Sequence, residues 1–325
     1  MSETSAYSGH QFTPEARNNS WSNMYGFVPD GGRVLDVGCS VGNFGEALER
    51  LKGCTVVGVD LNADDIAIAA TRLSEAYVLD VSDAEAIGVL GTFDAILFAD
   101  VIEHLVDPRA TLRTIRSLLN PGGIVVYSIP NMGHLSVRLD LLEGRFPYTE
   151  TGLLDKTHLH YYDAHEIEDV FTAAGFGIIE EEPVVAGYPR GWIDDRLVRL
   201  GLTASDEFFA ALDESESNVF QYVGVAIPLS GLPRNPAPPV RKVMPVDELL
   251  NYANEITMEN EHLKNTDDLN VELIAAKAEL SRTQDERDAI RHEFVALRDH
   301  VAFVKRHPFA FLKRTIDGRL RRGRR

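Results

Sequence analysis

The stretch Val34-Leu35-Asp36-Val37-Gly38-Cys39-Ser40-Val41-Gly42-Asn43-Phe44 decides the fold. A short apolar run ends on an acid. Small residues follow at 38, 40 and 42. Apolar Phe44, Ala47, Leu48 and Leu51 then take up helical spacing, and Gly53 is placed to stop the helix. The order is strand, tight bend, helix. Glycine in such a bend permits positive φ and close approach of a ligand to the backbone. A dinucleotide site reads Gly-x-Gly-x-x-Gly and sets pyrophosphate on the helix N-terminus. Here the spacing is Asp-x-Gly-x-Ser-x-Gly, and Asp36 repels pyrophosphate. An acid in that place suits a cationic, amine-bearing ligand.

Outward from this bend, β-rich runs alternate with helical patterns. Strands are expected at 33–37, 55–59, 76–79, 93–99, 124–129, 176–184 and 219–227. Such alternation predicts an α/β fold, a Rossmann-like, seven-stranded, mostly parallel sheet with helices on both faces. Asp107-Pro108 reads as an N-cap with proline at the first helical position, and Pro121-Gly122-Gly123 as the turn into the fifth strand. Asp163 with Glu166 forms a capping-box-like pair before Ile167, Val170, Phe171 and Ala174. Residues 131–162 and 186–216 interrupt the pattern. They are long for plain connections and are expected to be acceptor-side insertions.

The domain is therefore expected to span 1–228. Pro233, Pro236, Pro238, Pro239 and Pro245 make 229–245 a semi-rigid linker. In 246–305, Leu273, Leu280, Phe294 and Val301 share one heptad position, and Ala276, Thr283, Ile290, Leu297 and Val304 the other. That seam predicts a coiled coil and a homo-oligomer, with a lone amphipathic helix folded on the domain as the alternative. Residues 306–325 form a basic amphipathic tail.

The net charge of −18 is unevenly placed, because 305–325 holds nine Lys/Arg against one acid. The acidic body disfavours nucleic-acid backbones. Phe309, Phe311 and Leu312 beside lysine and arginine suit an anionic membrane surface, and a disordered basic tail or a nucleic-acid contact are the alternatives. Cys39 and Cys54 are expected as reduced thiols. The polar opening Met1-Ser2-Glu3-Thr4-Ser5 lacks a basic-then-apolar leader, and no run approaches the roughly 18 apolar residues of a membrane span. The expected place is the cytoplasm, or its membrane face through peripheral contact.

The bend, together with Asp60 closing Val56-Val57-Gly58-Val59-Asp60 and Asp80 within Val78-Leu79-Asp80-Val81, resembles the cofactor motifs of class I S-adenosylmethionine (SAM)-dependent methyltransferases. The resemblance covers about residues 20–228. It implies SAM as cofactor, cradled by Asp36, Gly38, Cys39, Ser40 and Gly42. Asp60 would accept from the ribose and Asp80 from the adenine amine, with Leu61 and Val81 beside them. Ser40 stands where this family often has glycine.

Asp100-Val101-Ile102-Glu103-His104 follows the fourth strand. If helical, it sets Asp100, Glu103 and His104 on one face. Two carboxylates and an imidazole can hold a divalent metal such as Mg, Mn or Zn, which lowers the pKa of a bound oxygen. The run resembles the Glu-x-x-Glu-His of ubiquinone-biosynthesis O-methyltransferases and small-RNA 2′-O-methyltransferases, with Asp100 in place of the first Glu. In that family a later histidine joins, here His158 or His160 of Asp155-Lys156-Thr157-His158-Leu159-His160-Tyr161-Tyr162. Two alternatives stand beside the metal: His104 or His158 as a metal-free catalytic base, and a purely structural role.

Ser128-Ile129-Pro130-Asn131, the run 138–146 and Thr157-His158 resemble a subgroup associated with bacterial glycan or cell-surface polysaccharide assembly. That resemblance implies a lid at 131–162, lined by Arg145 and Tyr148, and O-methylation of a sugar hydroxyl on a glycan or glycolipid. The alternatives are a quinone-like or other small-molecule acceptor, and a non-enzymatic oligomeric scaffold on a methyltransferase fold.

Overall fold

The computed structural model describes residues 12–214, 216–231 and 239–242. All of these lie within the unit Met1–Leu249. The coiled coil expected at 246–305 and the tail at 306–325 lie outside the described residues.

The first half of the domain runs α1 (Ser20–Phe27), β1 (Arg33–Val37), α2 (Asn43–Lys52), β2 (Thr55–Asp60), α3 (Ala63–Ala69), β3 (Glu75–Val78), α4 (Ala84–Gly88) and β4 (Phe93–Ala99). The second half runs α5 (Pro108–Arg116), β5 (Leu119–Pro130), α6 (Leu135–Leu142), α7 (Ala164–Ala173), β6 (Phe176–Glu181), β7 (Val184–Val185), α8 (Arg190–Arg199), α9 (Asp206–Glu214), β8 (Val219–Pro228) and β9 (Val240–Arg241).

These strands make one sheet in the order β3-β2-β1-β4-β5-β8-β6-β9, with β7 on β8. Strands β1 to β5 pair in parallel, and β8 runs antiparallel between β5 and β6. Seven strands match the expected seven, and β7 and β9 are two-residue additions. The strand expected at 176–184 is split. Its register on β8 shifts after Ile178, and Pro183 has no N–H to give the ladder. The Pro121-Gly122-Gly123 turn lies inside β5, where the register on β4 jumps from Phe93↔Leu119 to Ala95↔Ile124. The linker is not wholly a spacer, because Val240 and Arg241 pair in parallel with Glu180 and Glu181 of β6.

The central strands are apolar at successive positions because both faces are covered. Leu35, Val37, Ile96, Phe98 and Tyr127 join a core with Leu112 and Ile115 of α5 and Ile167, Val170 and Phe171 of α7. Val34, Val56, Leu97 and Val126 join the opposite core with Met24 of α1, Phe44 and Leu48 of α2, and Ile66 of α3. Each such side chain fully buried contributes about 1.5–3 kcal/mol. The expected caps form. Asp107 accepts from Ala110 N at 2.9 Å, and Asp163 from His165 N and Glu166 N at 2.9 and 3.0 Å. Leu51, the last position of the α2 stripe, is exposed.

The two insertions build one layer. Leu135 and Leu139 of α6 pack with Ile193 and Leu197 of α8 and Phe209 of α9. Buried Arg196 ties α8 to Asp140 at 2.6 Å and Glu143 at 2.7 Å. Arg145, expected to line the lid, is taken up by this ion-pair network, 3.2 Å from Asp140 and 2.8 Å from Glu143. No helix among the described residues is long and apolar enough to cross a membrane.

Candidate active site

The strand order reverses at β1, which lies between β2 and β4. In an open α/β sheet, ligands bind at the carboxyl ends of strands at such a switch point. Both motifs singled out above leave the sheet there.

After β1 the chain turns through three left-handed residues: Gly38 (φ +71°), Ser40 (φ +47°) and Gly42 (φ +80°). The Gly38 and Cys39 N–H groups donate to the Val59 carbonyl at 2.8 and 3.1 Å, which pins the bend to β2. The space beside Gly38 is not open to a ligand on the Cβ side. A Cβ there would meet Val101 Cγ2 at 2.6 Å, and one at Gly42 would meet Leu73 Cγ at 3.1 Å. These glycines serve left-handed geometry and the packing of neighbouring segments.

Asp60 is oriented by two backbone donors. Ser40 N reaches its Oδ2 at 2.9 Å and Asn62 N its Oδ1 at 2.8 Å. A carboxylate has about four lone-pair sites, so both oxygens keep capacity for hydroxyl donors. Asp80, exposed at the end of β3, accepts from Ser82 N at 2.8 Å and Ser82 Oγ at 2.6 Å. Leu61 is 71% exposed beside Asp60, and Val81 is buried beside Asp80. Asp36 is sealed beneath the bend. Burial, with the Asp60 charge adding, pushes its carboxyl up to about 7. Burial and the Asp36 charge also push the Cys39 thiol far up, so Cys39 remains an unreactive thiol.

The second motif departs from its expected shape. Asp100 has φ +56° and lies before a single 3-10 turn, Ile102–His104, so it does not share a helical face with Glu103 and His104. Its carboxylate accepts instead from Ser128 Oγ at 3.3 Å and from Gln221 Nε2. Burial still lifts it to about 7, against the lowering effect of those two donors. The expected four-residue ligand set thus separates. Glu103, His104 and His158 each offer an atom within 4.8 Å of the others, and Asp100 is outside that group.

Glu103 is 1% exposed, and among the described residues neither of its oxygens has a hydrogen-bond partner. Burial, then the charges of Asp100 and Asp155, hold its carboxyl well above the usual carboxylate range. His158 Nε2 lies 4.0 Å from Glu103 Oε1, and the His104 and His158 rings meet edge to face at 4.8 Å. Burial, then the charge of His104, pushes His158 below the usual histidine range. Segment 155–160 is locked onto the turn: Leu159 N and His160 N donate to the Glu103 carbonyl at 2.9 and 3.1 Å. Asp155 accepts from Thr157 N at 2.8 Å and Thr157 Oγ1 at 2.7 Å, and the Thr157 carbonyl is 3.2 Å from His104 Nδ1. Of the two later histidines, His158 joins the group. His160 is outside it, with a buried Nε2 that has no hydrogen-bond partner among the described residues and its ring 6.0 Å from Tyr162.

A row of rings runs from this group to the surface. Tyr161 is 6.2 Å from His158, Phe146 is 5.7 Å from Tyr161, and Tyr148, 62% exposed, is 5.3 Å from Phe146. Gln221 carried no signal in the sequence. Only the antiparallel register Pro130↔Gln221 brings it to Asp100. Asp65, which holds Ser40, was also missed.

The methyltransferase-domain family matches residues 19–181, half of the chain. The ubiquinone biosynthesis O-methyltransferase of Cereibacter sphaeroides (strain ATCC 17029 / ATH 2.4.9) is 30% identical over 169 residues, covering 50% of this chain and 67% of that protein. The protein of the same name from Caulobacter sp. (strain K31) is 38% identical over 107 residues, 31% of this chain and 42% of that protein. The chain spans about half the length of the curated relatives it matches. A solved SAM-dependent methyltransferase from Archaeoglobus fulgidus aligns with a TM-score of 0.46 at 20% identity, covering 66% of this chain and 94% of the other. The family match begins before β1 and ends with β6, taking in the bend and the Glu103 turn alike, and the chain belongs to the methyltransferase-domain family.

Proposed function

We propose that this chain transfers the methyl group of SAM to a hydroxyl oxygen, with the cofactor at the bend after β1 and the acceptor over Glu103, His104 and His158. One observation carries the reading: a sealed carboxylate without a partner, flanked by two imidazoles, at the switch point of the sheet. Methyl transfer from a sulfonium is an in-line displacement, so the protein's part is alignment and removal of the acceptor proton. The C–S bond breaks as the C–O bond forms, S-adenosylhomocysteine (SAH) leaves, and the hydroxyl proton passes to a base. His158, whose surroundings favour the neutral imidazole, is the base in this reading. Asp60 binds the ribose, Asp80 the adenine amine, and exposed Leu61 gives an apolar surface for the purine. The unpartnered oxygens of Glu103 also fit a cation site. Held by Glu103, His104 and His158, a divalent Mg, Mn or Zn ion would lower the pKa of the acceptor hydroxyl.

For the acceptor we propose a sugar hydroxyl of a glycan or glycolipid intermediate. The ring row Tyr161, Phe146, Tyr148 supports it, offering apolar faces on which sugar C–H groups pack. A quinone-like acceptor is the second reading, favoured by the names of the relatives. Self-association through 246–305 and membrane contact through 306–325, which would hold the enzyme at the cytoplasmic membrane face, are proposals resting on sequence alone. Labelled SAM incubated with the protein and a cell-envelope extract tests the whole. Label in a glycan supports the first acceptor and label in a quinone fraction the second. SAM binding without any labelled product supports a scaffold. Chelation and metal add-back separate the two modes of proton removal.

A further inference from the structure

Ser40 departs from the glycine common at its position, and it does so at φ +47°, a conformation that costs an ordinary side chain free energy. The structure shows what holds it. Its hydroxyl donates to Asp65 Oδ2 at 3.0 Å. Asp65, on the first turn of α3, is 1% exposed, and its other oxygen has no partner among the described residues. The bond belongs to a closed ring. Ser40 N donates to Asp60 Oδ2, Ser40 Oγ to Asp65 Oδ2, Asp65 N to Asn62 Oδ1, and Asn62 N back to Asp60 Oδ1. Both oxygens of Asp60 thus accept from backbone groups that the Ser40–Asp65 bond links into one ring.

We propose that Asp65 is a positioning residue for the cofactor: through the Ser40 hydroxyl it holds the bend left-handed, and so fixes the Asp60 carboxylate on the ribose. This rests on the SAM reading above. Asp65 acts through Ser40, so its importance depends on which residue stands at that position. Glycine adopts a positive φ without a tether, so a Ser40→Gly background makes Asp65 dispensable. The ring acts on the ribose acid and not on the sulfonium, so SAM and SAH are affected alike.

The test is a cycle of Asp65→Ala and Ser40→Gly in the full chain, read by calorimetric titration with SAM and with SAH and by thermal melting of the ligand-free protein. The expected result is about a tenfold loss of affinity for both ligands with Asp65→Ala when Ser40 is present, and less than about twofold in the Ser40→Gly background. The melting temperature should show the same dependence on background. Asp65→Asn, which keeps an acceptor oxygen, should stay near wild type. If Asp65→Ala does not fold, Ser40→Ala carries the test: it retains the left-handed cost without the hydroxyl and should bind both ligands about tenfold more weakly than Ser40→Gly. Equal losses in both backgrounds, SAM weakened with SAH spared, or Ser40→Ala binding as well as Ser40→Gly overturns the proposal. A wild-type chain that binds neither ligand defeats the methyl-donor reading instead, and the melting cycle still reports on the tether.

Discussion

His158 Nε2 stands 4.0 Å from Glu103 Oε1, beyond hydrogen-bond reach, although both side chains are almost sealed from solvent. A buried polar group left without a partner costs about 1–3 kcal/mol, and more when charged. A fold that carries this cost at a strand end beside two histidines keeps the carboxylate for something that binds there. Glu103→Gln removes the titratable carboxyl and keeps the volume. It should melt no lower than wild type and transfer methyl at least about 100-fold more slowly. A variant that melts lower and transfers normally would make Glu103 a structural residue. Thermal melts run beside a label-transfer assay distinguish the two.

Asp36 gives a dependence on pH. Its folded-state value of about 7 lies above the roughly 3.9 of a free aspartate. The stability it contributes is therefore complete below about pH 4 and is lost as pH rises through about 7. A cationic ligand favours the ionised form, so ligand affinity moves the opposite way. Between pH 6 and 7 the ionised fraction of a group titrating near 7 grows about fivefold, and SAM affinity should rise by about that factor. Asp36→Asn should bind more weakly and flatten both trends. Asp100, lifted to a similar value, would leave its own trend in that variant, so calorimetry on Asp36→Asn separates the two acids.

What was legible in the sequence was local. Val34 beside Leu35, each feeding a different core, reads as a strand buried on both faces, and the Asp107 and Asp163 caps are written within a few residues of the groups they hold. The bend was legible for the same reason. The surroundings of Asp100 were not. Its partner Gln221 arrives by antiparallel pairing across the sheet, and a positive φ at a non-glycine residue leaves no mark in residue type. Proline-rich composition likewise hid Val240 and Arg241, whose pairing partners lie on β6.

Arg241 anchors that hidden strand. Its Nε donates to Glu181 Oε2 at 2.5 Å, another of its nitrogens pairs with Glu216, and Tyr127 donates to Glu181 Oε1 at 2.9 Å. Glu181 is buried, so loss of Arg241 leaves its charge with the tyrosine alone. Arg241→Gln should destabilise the domain by about 1–3 kcal/mol, discounted because the arginine is itself partly exposed. Urea denaturation measures it. Adding Glu181→Gln should recover part of the loss, since the uncompensated charge is then gone.

Gly38 and Val101 make the sharpest steric test of the site. An alanine Cβ at 38 would lie 2.6 Å from Val101 Cγ2, and the backbone there is at φ +71°. Two costs then add: a clash that Val101 must relieve by changing rotamer or by moving the segment leading to Glu103, and left-handed strain of about 1–2 kcal/mol that no neighbour relieves. Gly38→Ala should weaken SAM binding by more than about tenfold and lower the melting temperature. Val101→Ala in that background removes the clash and leaves the strain, so it should restore part of the affinity. Full restoration would mean that the glycine is needed only for the room Val101 occupies. No restoration would mean that the left-handed bend itself carries the cofactor, and calorimetric titration of the three variants decides between them.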